Sequence, residues 1–548
     1  MSKLFEQLVK KRGFSRCFLK PKYEDLASPF LLPDMEKAVE RMEGAKERGE
    51  KVIIYGDYDA DGVTASTVMG EALRLMGVTE VETMLPDRFE DGYGMSKKVV
   101  QRAEETGVGL VITVDCGSGN WEIVKELKEK GIDTIVTDHH ECPAKLPEAV
   151  AIVNPKRRDF VAQVENFEEK VETLMNLRDL AGVGVAFMVA KALVEKGEIP
   201  EGQEKWMLDL VLIGTICDSM KMTAENRILC YFGAKVLEKT RRVGLKELLR
   251  VSGTTVINSE TIGFQIGPRI NAAGRMASAE VALKLLKATR RTEAARYARE
   301  LEEYNEQRRA QQLAALEEIR ERGVSQRSVI IETGTWHEGV LGIIAGRLVE
   351  EYKRPAFVLS EKEGVYKGSG RSFGEFNLAE ALKACAEEII GGGGHALAAG
   401  VKVEAGKIKA FEEKINEYYE GLELVDQERF FEVEPDLELR ELEGLTLDFL
   451  EELTELEPFG AGNEMPIFRL KDMFVLDKRL MGEEGKHLRL LVRDDKGGML
   501  KLIAFSVPGE WKEVEQGSRV DLLMSIEENE WNGLKSVQGR ILGIERRF

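Results

Sequence analysis

The chain has 548 residues, which at roughly 150 residues per domain predicts three or four domains. The 78 Lys and Arg residues against 97 Asp and Glu give a net charge of −19, which disfavours a nonspecific nucleic-acid coat but allows a local basic groove. No apolar run approaches the ~18–20 residues of a membrane span, and the first residues lack the apolar core of a signal peptide, so we expect a cytoplasmic protein. The six cysteines show no CxxC spacing, so we expect neither disulfides nor structural zinc.

The first third of the chain alternates predicted strands and helices. Apolar, β-branched runs of strand length recur between segments of helical periodicity. Strands are expected at 51–56, 80–86, 109–115, 133–138 and 149–155, with helices at 63–77, 96–107 and 121–131 between them. Because such alternation produces right-handed βαβ crossovers, it predicts an α/β fold with a doubly wound parallel sheet.

A helical region follows this sheet. Residues 157–178 are polar and weakly periodic, and we interpret them as a surface insertion. Three apolar helices are expected between about 180 and 250. Residues 280–323 form a long, charge-rich helical stretch, which is typical of a solvated helix that connects two domains.

The second half of the chain predicts a smaller α/β unit and a β-barrel. The α/β unit begins near 328 and contains the glycine-rich run 391–400, and an acidic segment then precedes several short strands that suit an OB-like barrel. The predicted division is an N-terminal segment 1–45, a catalytic domain 46–255, a helical connector 256–324, a substrate-binding domain 325–425 and a barrel 426–548.

Acidic residues follow three strands of the predicted parallel sheet. They are Asp57, Asp59 and Asp61 after the first strand, Asp115 at the end of the third, and Asp138 with His139 and His140 after the fourth. Ligands of doubly wound sheets bind outside the carboxyl ends of the strands, so we expect these segments to converge. Asp218, at the end of an apolar run, would complete the cluster.

A cluster of this composition predicts a metal centre. Carboxylates that are brought together repel one another, and a divalent cation relieves that repulsion. Oxygen ligands with one or two imidazoles suit Mn²⁺ or Mg²⁺ better than zinc. Four or five carboxylates exceed what one ion needs, and two ions ~3.5–4 Å apart would hold a phosphoryl group during in-line attack by water. The cluster therefore predicts phosphoester hydrolysis.

Ordinary explanations exist for each motif when it is taken alone. Asp57, Asp59 and Asp61 also resemble a calcium-binding loop or an acidic turn, although the downstream Glu of an EF-hand is missing. An isolated histidine pair such as His139 and His140 is more often structural than functional. Beside an Asp at a strand end, with two other acidic strand ends nearby, the functional interpretation is favoured.

These residues stand in motifs that resemble a known superfamily. The runs YGDYDADGVTA, LPDRFEDGYGMS, ITVDCGSGN, IVTDHHE and LIGTICDSM follow the order of the first four motifs of the DHH phosphoesterase superfamily. Further runs, GPRINAAGRM, WHEGVLGIIAGRL, KGSGRSFGEFNL and GGGGHALAAG, resemble its RecJ branch, the 5′→3′ exonucleases specific for single-stranded DNA. The resemblance covers roughly 45–548. The chain lacks the His that relatives often carry before Arg88, and SMKM follows Asp218, but neither departure removes a ligand.

The resemblance implies roles for the cluster and for the substrate-binding residues. Asp59, Asp61, Asp115, His139 and Asp218 resemble the two-metal ligands, with Asp115 as the bridge and Asp57 as a further acidic participant. His140 resembles a phosphate contact or an acid-stabilising group rather than a primary ligand. Arg88, Ser369 and Arg371 would hold the 5′-terminal phosphate, and Arg269, Asn271 and Arg275 would line the strand path. Tyr93 would stack on a base, with a packed core tyrosine as the equal alternative.

The composition of the glycine-rich run 391–400 predicts phosphate binding independently of the resemblance. Four consecutive glycines allow positive φ and an anion nest of N–H groups, and the small residues after His395 would let a helix N-terminus approach a phosphate. A flexible linker or a close helix contact is the competing interpretation. By resemblance, Gly392, Gly393, Gly394 and His395 belong to a substrate-binding motif that faces the metals across a cleft.

The resemblance thus implies a DHH catalytic domain, a long connecting helix, a DHHA1 substrate-binding domain and an OB-like barrel. The barrel would bind a further stretch of the single strand through basic and aromatic side chains, with Lys478, Arg479, Lys486, Arg489 and Trp531 as candidates. The expected enzyme degrades single-stranded DNA from its 5′ end to mononucleotides with two Mn²⁺ or Mg²⁺ ions. By analogy it acts in recombination and repair with a helicase and a single-strand binding protein. The alternatives are a DHH phosphodiesterase of nanoRNA or small nucleotides, a non-catalytic replication scaffold and a plain nucleic-acid-binding module.

Overall fold

A computed structural model of the protein describes residues 1–92, 94–160, 167–422, 434–482, 485–505 and 507–546, with the side chains of 167–171, 531 and 546 left out. The chain forms two compact units. The larger unit comprises Ser28–Asp218 and Val236–Glu432, and the smaller unit comprises Met1–Ala27, Ser219–Lys235 and Val433–Phe548. Within the described residues, no helix combines the length and apolarity that a bilayer crossing requires.

Fifteen α-helices precede the second sheet in the described part of the chain. They are α1 (Lys3–Arg12), α2 (Arg16–Leu19), α3 (Met35–Arg48), α4 (Ala60–Met76), α5 (Lys97–Thr106), α6 (Trp121–Glu129), α7 (Phe167–Leu177), α8 (Gly182–Glu195), α9 (Leu208–Cys217), α10 (Ala224–Glu238), α11 (Val243–Ser252), α12 (Ser259–Thr261), α13 (Gly267–Met276), α14 (Glu280–Lys287) and α15 (Arg291–Arg322). A π-helix, Ile262–Ile266, lies between α12 and α13. The expected connecting helix is confirmed as the 32-residue α15, with α14 as a separate helix before it.

The first sheet of the larger unit is parallel, as predicted. Its strands are β1 (Lys51–Tyr55), β2 (Val81–Met84), β3 (Val108–Val114), β4 (Asp133–Thr137) and β5 (Ala151–Val153), in the order β2-β1-β3-β4-β5. The central strands are short runs of buried Val, Ile and Leu. From β1 the chain adds β2 on one side and then β3 on the other, so the strand order reverses between β1 and β3. Ligands bind at such a switch point in open α/β sheets.

The interpretation of residues 157–178 as a surface insertion is wrong for the residues that the structure describes there. Phe160, Leu174 and Leu177 are fully buried, and Arg157 is buried with an ion pair to Asp34. Phe167, Val171 and Leu174 recur at helical spacing, a signal that the interpretation as a surface insertion did not use. The burial of Phe160, Leu174 and Leu177 was decided by the surface against which the segment packs. Residues 161–166 lie outside the described residues.

The second sheet of the larger unit is mixed. It contains β6 (Ile330–Gly334), β7 (Ala356–Lys362), β8 (Val365–Arg371), β9 (Gly391–Gly394) and β10 (Ala398–Glu404), in the order β6-β7-β8-β10-β9. Only β6 and β7 pair in parallel among these strands, and the remaining pairs are antiparallel. Helices α16 (Leu341–Tyr352), α17 (Leu378–Ala384) and α18 (Ile408–Glu420) accompany it. The predicted smaller α/β domain is confirmed.

The smaller unit contains a closed barrel. Its elements are β11 (Leu437–Leu439), α19 (Leu447–Leu453), β12 (Phe468–Met481), β13 (His487–Arg493), β14 (Met499–Ala504), β15 (Arg519–Trp531) and β16 (Leu534–Arg546). The sheet runs β12-β13-β14-β16-β15, and β15 pairs again with β12, so five strands close on themselves. Closure removes the free sheet edges, and the apolar strand faces form one core with Phe5 and Leu8 of α1. The predicted OB-like barrel is confirmed.

Candidate metal centre and phosphate-binding cleft

The acidic cluster assembles at the reversal point of the parallel sheet. Asp59 is the N-cap of α4 and accepts a hydrogen bond from the Gly62 N–H at 3.0 Å, which places Asp61 in the first helical turn. Asp115 follows β3 with a φ of 60°, a left-handed conformation that is rare outside glycine and is found at functional sites. Asp218 is the C-cap of α9. The predicted convergence of distant segments is therefore observed.

His139 lies at the centre of the cluster. Its Nε2 is 3.1 Å from Oδ1 of Asp115, 3.5 Å from Oδ2 of Asp218 and 3.8 Å from Oδ2 of Asp61. Three overlapping groups have ligand atoms within 4.8 Å of one another: Asp115 with His139 and His140, Asp61 with His139 and Asp218, and Asp57 with Asp59 and Asp115. Asp115 belongs to two of the groups, which suits the bridging role that the resemblance implies for it.

The electrostatics of the cluster favour a bound cation. Burial and the neighbouring Asp59 raise the pKa of Asp57 to about 8 and that of Asp218 to about 7. Burial and the other carboxylates also raise the pKa values of Asp61 and Asp115 well above their ordinary range. Within the described residues, Oδ1 of Asp115 and Nε2 of His139 are buried without a hydrogen-bond partner. Unsatisfied buried acceptors among mutually repelling carboxylates fit divalent cations with oxygen and imidazole ligands.

The pKa values of the two histidines are shifted in opposite directions. Burial and the neighbouring His140 lower the pKa of His139 to about 3, so its ring is neutral and offers a lone pair. Burial opposes the charged form of His140, but the hydrogen bond between its Nδ1 and Oδ1 of Asp138, at 2.9 Å, and the charges of Asp138, Asp218 and Asp57 together exceed that cost and raise its pKa to about 9. Asp138 also accepts the N–H of Ser118. A neutral His139 suits a metal ligand, and a cationic His140 suits a phosphate contact.

The titration of Asp57 predicts how pH changes the stability of the metal-free protein. A folded-state pKa of about 8, against about 4 in the unfolded chain, means that unfolding releases a proton between these values. Stability therefore falls as pH rises from about 4 to 8. Asp57→Asn removes this titration and keeps the acceptor for the Tyr58 N–H. In EDTA, we expect the variant's gain in melting temperature over the unmodified protein to grow between pH 5 and pH 8. A gain that is constant across this range would contradict the prediction.

Two glycines beside the cluster were not identified from the sequence. The N–H groups of Gly182 and Val183, at the start of α8, donate to the two oxygens of Asp61 at 2.7 and 2.8 Å. A Cβ at Gly182 would lie 2.5 Å from Oδ1 of Asp115, and one at Gly214 would lie 2.7 Å from Oδ1 of Asp61. The sequence signal was present in AGVGVAF and LIGTICD, but it suggested only helix packing. Both positions require glycine because a carboxylate approaches the backbone.

Gly182→Ala is predicted to disturb the cluster without removing a ligand. The added methyl group must displace Asp115, so we expect Mn²⁺ affinity to fall at least about tenfold, measured by calorimetry on the folded protein. Gly346→Ala is the matched control, because no atom lies within 4 Å of the added methyl group and the residue is inside a helix. Equal Mn²⁺ affinity in the two variants would refute the steric argument.

Three arginines gather near the metal cluster. Arg88 lies over the ring of Tyr58, with 4.8 Å between the guanidinium carbon and the ring centroid. Burial, followed by the charges of Arg88 and Arg371, lowers the pKa of Arg275 to about 9, and burial with Arg88 also lowers the pKa of Arg371. Ser369 and Arg371 both border Gly342 in α16. Concentrated positive charge of this kind is stabilised by an anion, and arginine favours phosphate.

A groove of about 420 Å³ lies beside these arginines. Arg88, Ser369 and Gly392 line it, together with two lysines that the sequence analysis did not single out, Lys367 and Lys402. Lys367 pairs with Lys402 across β8 and β10. Lys367, Ser369 and Arg371 alternate along β8 and therefore share one face, a period-two signal that was readable from the sequence.

The glycine-rich run is not followed by a helix, so that expectation is wrong. Gly391–Gly394 form the exposed edge strand β9, and the chain returns in β10 through a turn in which the His395 N–H donates to the Ala398 oxygen. Among the four glycines only Gly394 has a positive φ. The glycines instead allow an edge strand without side chains to border the groove, where Gly392 lies; Gly393 and His395 are exposed.

Several of the other predicted contacts have internal partners. Arg269 makes two hydrogen bonds to Glu302 of α15 and one to the Gln265 carbonyl, and Asn271 accepts the Ala60 N–H at 2.8 Å, which holds the start of α4. Arg269 and Asn271 therefore both make hydrogen bonds within the protein. Tyr93 and the side chain of Trp531 lie outside the described residues. On the barrel, Lys478 donates to the Lys512 carbonyl, and Arg479 and Arg489 lie within 3.5 Å of Asp477.

Comparison with known proteins identifies the family. The matching domain families are the DHH family N-terminal domain over residues 51–215, the DHHA1 domain over 326–421 and the RecJ OB domain over 436–542. The single-stranded-DNA-specific exonuclease RecJ of Haemophilus influenzae is 33% identical over 94% of this chain and 91% of its own length. This chain belongs to the RecJ family. RecJ of Bacillus subtilis is 36% identical over 98% of this chain and 67% of its own length.

Solved RecJ structures share the fold. RecJ from Thermus thermophilus in complex with Mn²⁺ matches with a TM-score of 0.83 at 28% identity, covering 99% of this chain and 76% of that one. Exonuclease RecJ bound to manganese matches with a TM-score of 0.62 at 31% identity, covering 73% and 97%. A RecJ structure with Mg²⁺ is also similar. The three domain types of the RecJ family thus account for the parallel sheet, the mixed sheet and the barrel described above.

Proposed function

We propose that this RecJ-family chain is a metal-dependent exonuclease that degrades single-stranded DNA from the 5′ end to mononucleotides. One observation carries the proposal: buried, unpartnered acceptors of Asp115 and His139 stand among carboxylates in the same unit as a cluster of phosphate-competent arginines. The RecJ relatives are named as exonucleases specific for single-stranded DNA, and related structures contain Mn²⁺ or Mg²⁺. Recombination and repair are the processes consistent with this family.

We assign the metal-holding role to the groups that meet around His139. Asp59, Asp61, Asp115, His139 and Asp218 would hold two Mn²⁺ or Mg²⁺ ions, with Asp115 shared between them. Such ions supply Lewis acidity that activates water and stabilises the leaving 3′-oxygen. Gly182 and Val183 hold Asp61 in place, and Asp138 keeps His140 protonated, so that His140 can donate to a phosphate oxygen. Asp57, whose pKa is about 8 in the metal-free protein, would lose its proton when a cation binds nearby and would then add a negative charge.

The arginine cluster would set the direction of degradation. Arg88, Ser369 and Arg371 can surround a terminal phosphate with charged and hydroxyl donors, while Arg275 adds a desolvated positive charge. A strand whose 5′ phosphate occupies this cluster would present a following phosphodiester to the carboxylates. Lys402 adds positive charge to the groove, and so does Lys367, although it lies 3.6 Å from Glu338, which also lines the groove. The direction thus follows from which strand end the cluster binds.

The wider context is also part of the proposal. The five-part domain division, a cytoplasmic location, and cooperation with a helicase and a single-strand binding protein are predictions from the resemblance. The barrel is proposed to bind single strands, since OB folds do so through basic and aromatic side chains. Protein partners would be identified by their effect on the rate with long DNA, because a helicase supplies single strands and a binding protein organises them.

The decisive experiment uses single-stranded DNA labelled separately at each end. With Mn²⁺, mononucleotides from the 5′ label should appear first, while the 3′ label remains in long fragments and duplex DNA stays intact. Hydrolysis of only very short oligomers would favour the nanoRNA phosphodiesterase alternative. Binding without hydrolysis under every divalent metal would favour the scaffold. The retention of all the acidic positions and both histidines argues against that last outcome.

A further inference from the structure

The larger unit contains a second cavity, of about 810 Å³, that the proposed reaction does not use. It is lined by the middle of α4, the start of α9 and the end of α14. Glu71 lies 12 residues along α4 from Asp59, about 18 Å at 1.5 Å per residue. Asp209 lies nine residues before Asp218 along α9, about 14 Å. The cavity and the metal centre therefore lie at different ends of the same two helices.

The cavity is locally positive in a chain of net charge −19. Four cationic side chains, those of Arg74, Arg241, Arg242 and Lys287, face two carboxylates, Glu71 and Asp209. Arg242 alone binds both carboxylates, at 2.6 Å to Glu71 and 3.1 Å to Asp209. Arg74 also lies 3.9 Å from Glu71, so the four cations exceed the two carboxylates of the cavity wall by two charges. A cation excess in a partly enclosed space attracts anions.

Lys287 is the cation whose environment most clearly lacks a counter-charge. Its side chain is open to solvent, yet the surrounding protein partly desolvates the ammonium group and lowers its pKa. Its Nζ donates to the Thr83 hydroxyl at 2.7 Å, and no carboxylate of the described residues lies within ion-pair distance of it. Helix α11 begins at the same cavity, at Val243, without a side-chain cap, so its first N–H groups add partial positive charge. Both features favour an anionic group at this end of the cavity.

Another wall of the cavity offers planar and apolar surface. The Arg241 guanidinium lies over the indole of Trp206, 3.5 Å from the ring centroid, and forms a flat, rigid surface. Val78, Val81 and Leu286 add apolar area. Planar rings stack on arginine and tryptophan, whereas inorganic phosphate would leave most of this volume unfilled. Small-molecule sites typically occupy about 300–1,000 Å³, so the cavity matches a nucleotide in size.

We propose that this cavity binds a nucleoside phosphate, with the phosphate near Lys287 and the start of α11 and the base near Trp206 and Arg241. Two ligands contain such a base and phosphate. One is a mononucleotide of the kind that the proposed exonuclease would release, and the other is a free nucleoside triphosphate. Neither requires a metal ion at the carboxylate cluster.

Binding is tested by equilibrium dialysis of the full chain in EDTA, with a deoxynucleoside monophosphate, a nucleoside triphosphate and inorganic phosphate as three separate probes. The arginine cluster also attracts phosphate, so all variants are made in an Arg371→Ala background. Lys287→Met should weaken binding of the better nucleotide at least about tenfold, a change of about 1.4 kcal/mol. Lys284→Met, an exposed position on the same helix, should leave it within about twofold.

The three probes identify the source. Tighter binding of the monophosphate indicates the reaction product, and tighter binding of the triphosphate indicates the free nucleotide. Equal binding of inorganic phosphate and both nucleotides would overturn the assignment of the base. Loss of all binding in the Arg371→Ala background, or equal binding by the two lysine variants, would overturn the site, while leaving the proposed exonuclease activity unaffected.

A second measurement uses the unmodified protein and so avoids any folding defect. Acylation of Lys287 by an amine-reactive reagent, mapped by mass spectrometry, should slow at least about threefold when the nucleotide is added. Lys284 should react at an unchanged rate. Unchanged acylation of Lys287 at a nucleotide concentration that saturates dialysis would overturn the proposal.

Discussion

Asp115→Asn is expected to lower hydrolysis of single-stranded DNA at least about a thousandfold while the protein remains folded. The substitution preserves volume but replaces the buried oxygen that faces His139 at 3.1 Å by a group with less negative charge. Asp115 belongs to two of the three ligand groups, so the loss affects both predicted ions. The rate is measured as release of labelled mononucleotide at saturating Mn²⁺.

The melting temperature of Asp115→Asn should depend on Mn²⁺ in a way that a simple folding defect would not produce. Without metal, Asp115→Asn should melt at a higher temperature than the unmodified protein, because one of several repelling buried carboxylates is gone. With Mn²⁺, the unmodified protein should gain several degrees, and the variant should gain little. Asp448→Asn, at an exposed position, is the control for activity. A variant that keeps a tenth of the activity and the full Mn²⁺-dependent gain would exclude Asp115 from the metal centre.

Arg371→Ala is expected to remove the preference for a 5′-phosphorylated end. Charged hydrogen bonds to a phosphate contribute about 1.5–3 kcal/mol, so kcat/KM on 5′-phosphorylated DNA should fall about 10–150-fold. DNA with a 5′-hydroxyl should be cleaved slowly by both proteins, and at nearly the same rate. Burial and Arg88 lower the pKa of Arg371, so loss of its charge should also relieve repulsion and leave folding intact.

Two further variants distinguish charge from geometry at this position. Arg371→Lys keeps a positive charge but lacks the planar pair of donors, so an intermediate loss is expected. Arg347→Ala, at an exposed position on the neighbouring α16, should have no effect on either substrate. Equal losses on 5′-phosphate and 5′-hydroxyl DNA would show that Arg371 acts elsewhere along the strand. No loss on either would remove it from substrate binding.

Much of the fold and the metal cluster followed from local sequence patterns. Buried parallel strands are runs of β-branched residues, and their carboxyl ends converge in a doubly wound sheet, so Asp59, Asp115 and His139 could be placed together without coordinates. The alternating strands of the C-terminal region likewise predicted a barrel. These patterns have the period of the secondary structure that they form, and for that reason they can be recognised in one dimension.

Other features depended on contacts between segments that are distant in sequence. Arg269 was predicted to line the strand path, but Glu302 binds its guanidinium, and Asn271 holds the start of α4. The glycine run became an edge strand because β10 offered it hydrogen-bond partners, an outcome that glycine's conformational freedom does not specify. Likewise, only the packing of α8 against Asp115 makes Gly182 indispensable.

Local sequence was sufficient for the residue types of the metal centre, their positions at strand ends, and the order of the three domain types. The folded chain was needed to tell which of two adjacent histidines is neutral, which arginines are available for a phosphate, and that a cavity with an excess of cations is lined by α4, α9 and α14. The physical reason is that ligand identity is a local property of the chain. Protonation, desolvation and the pairing of charges depend instead on what each side chain meets after folding.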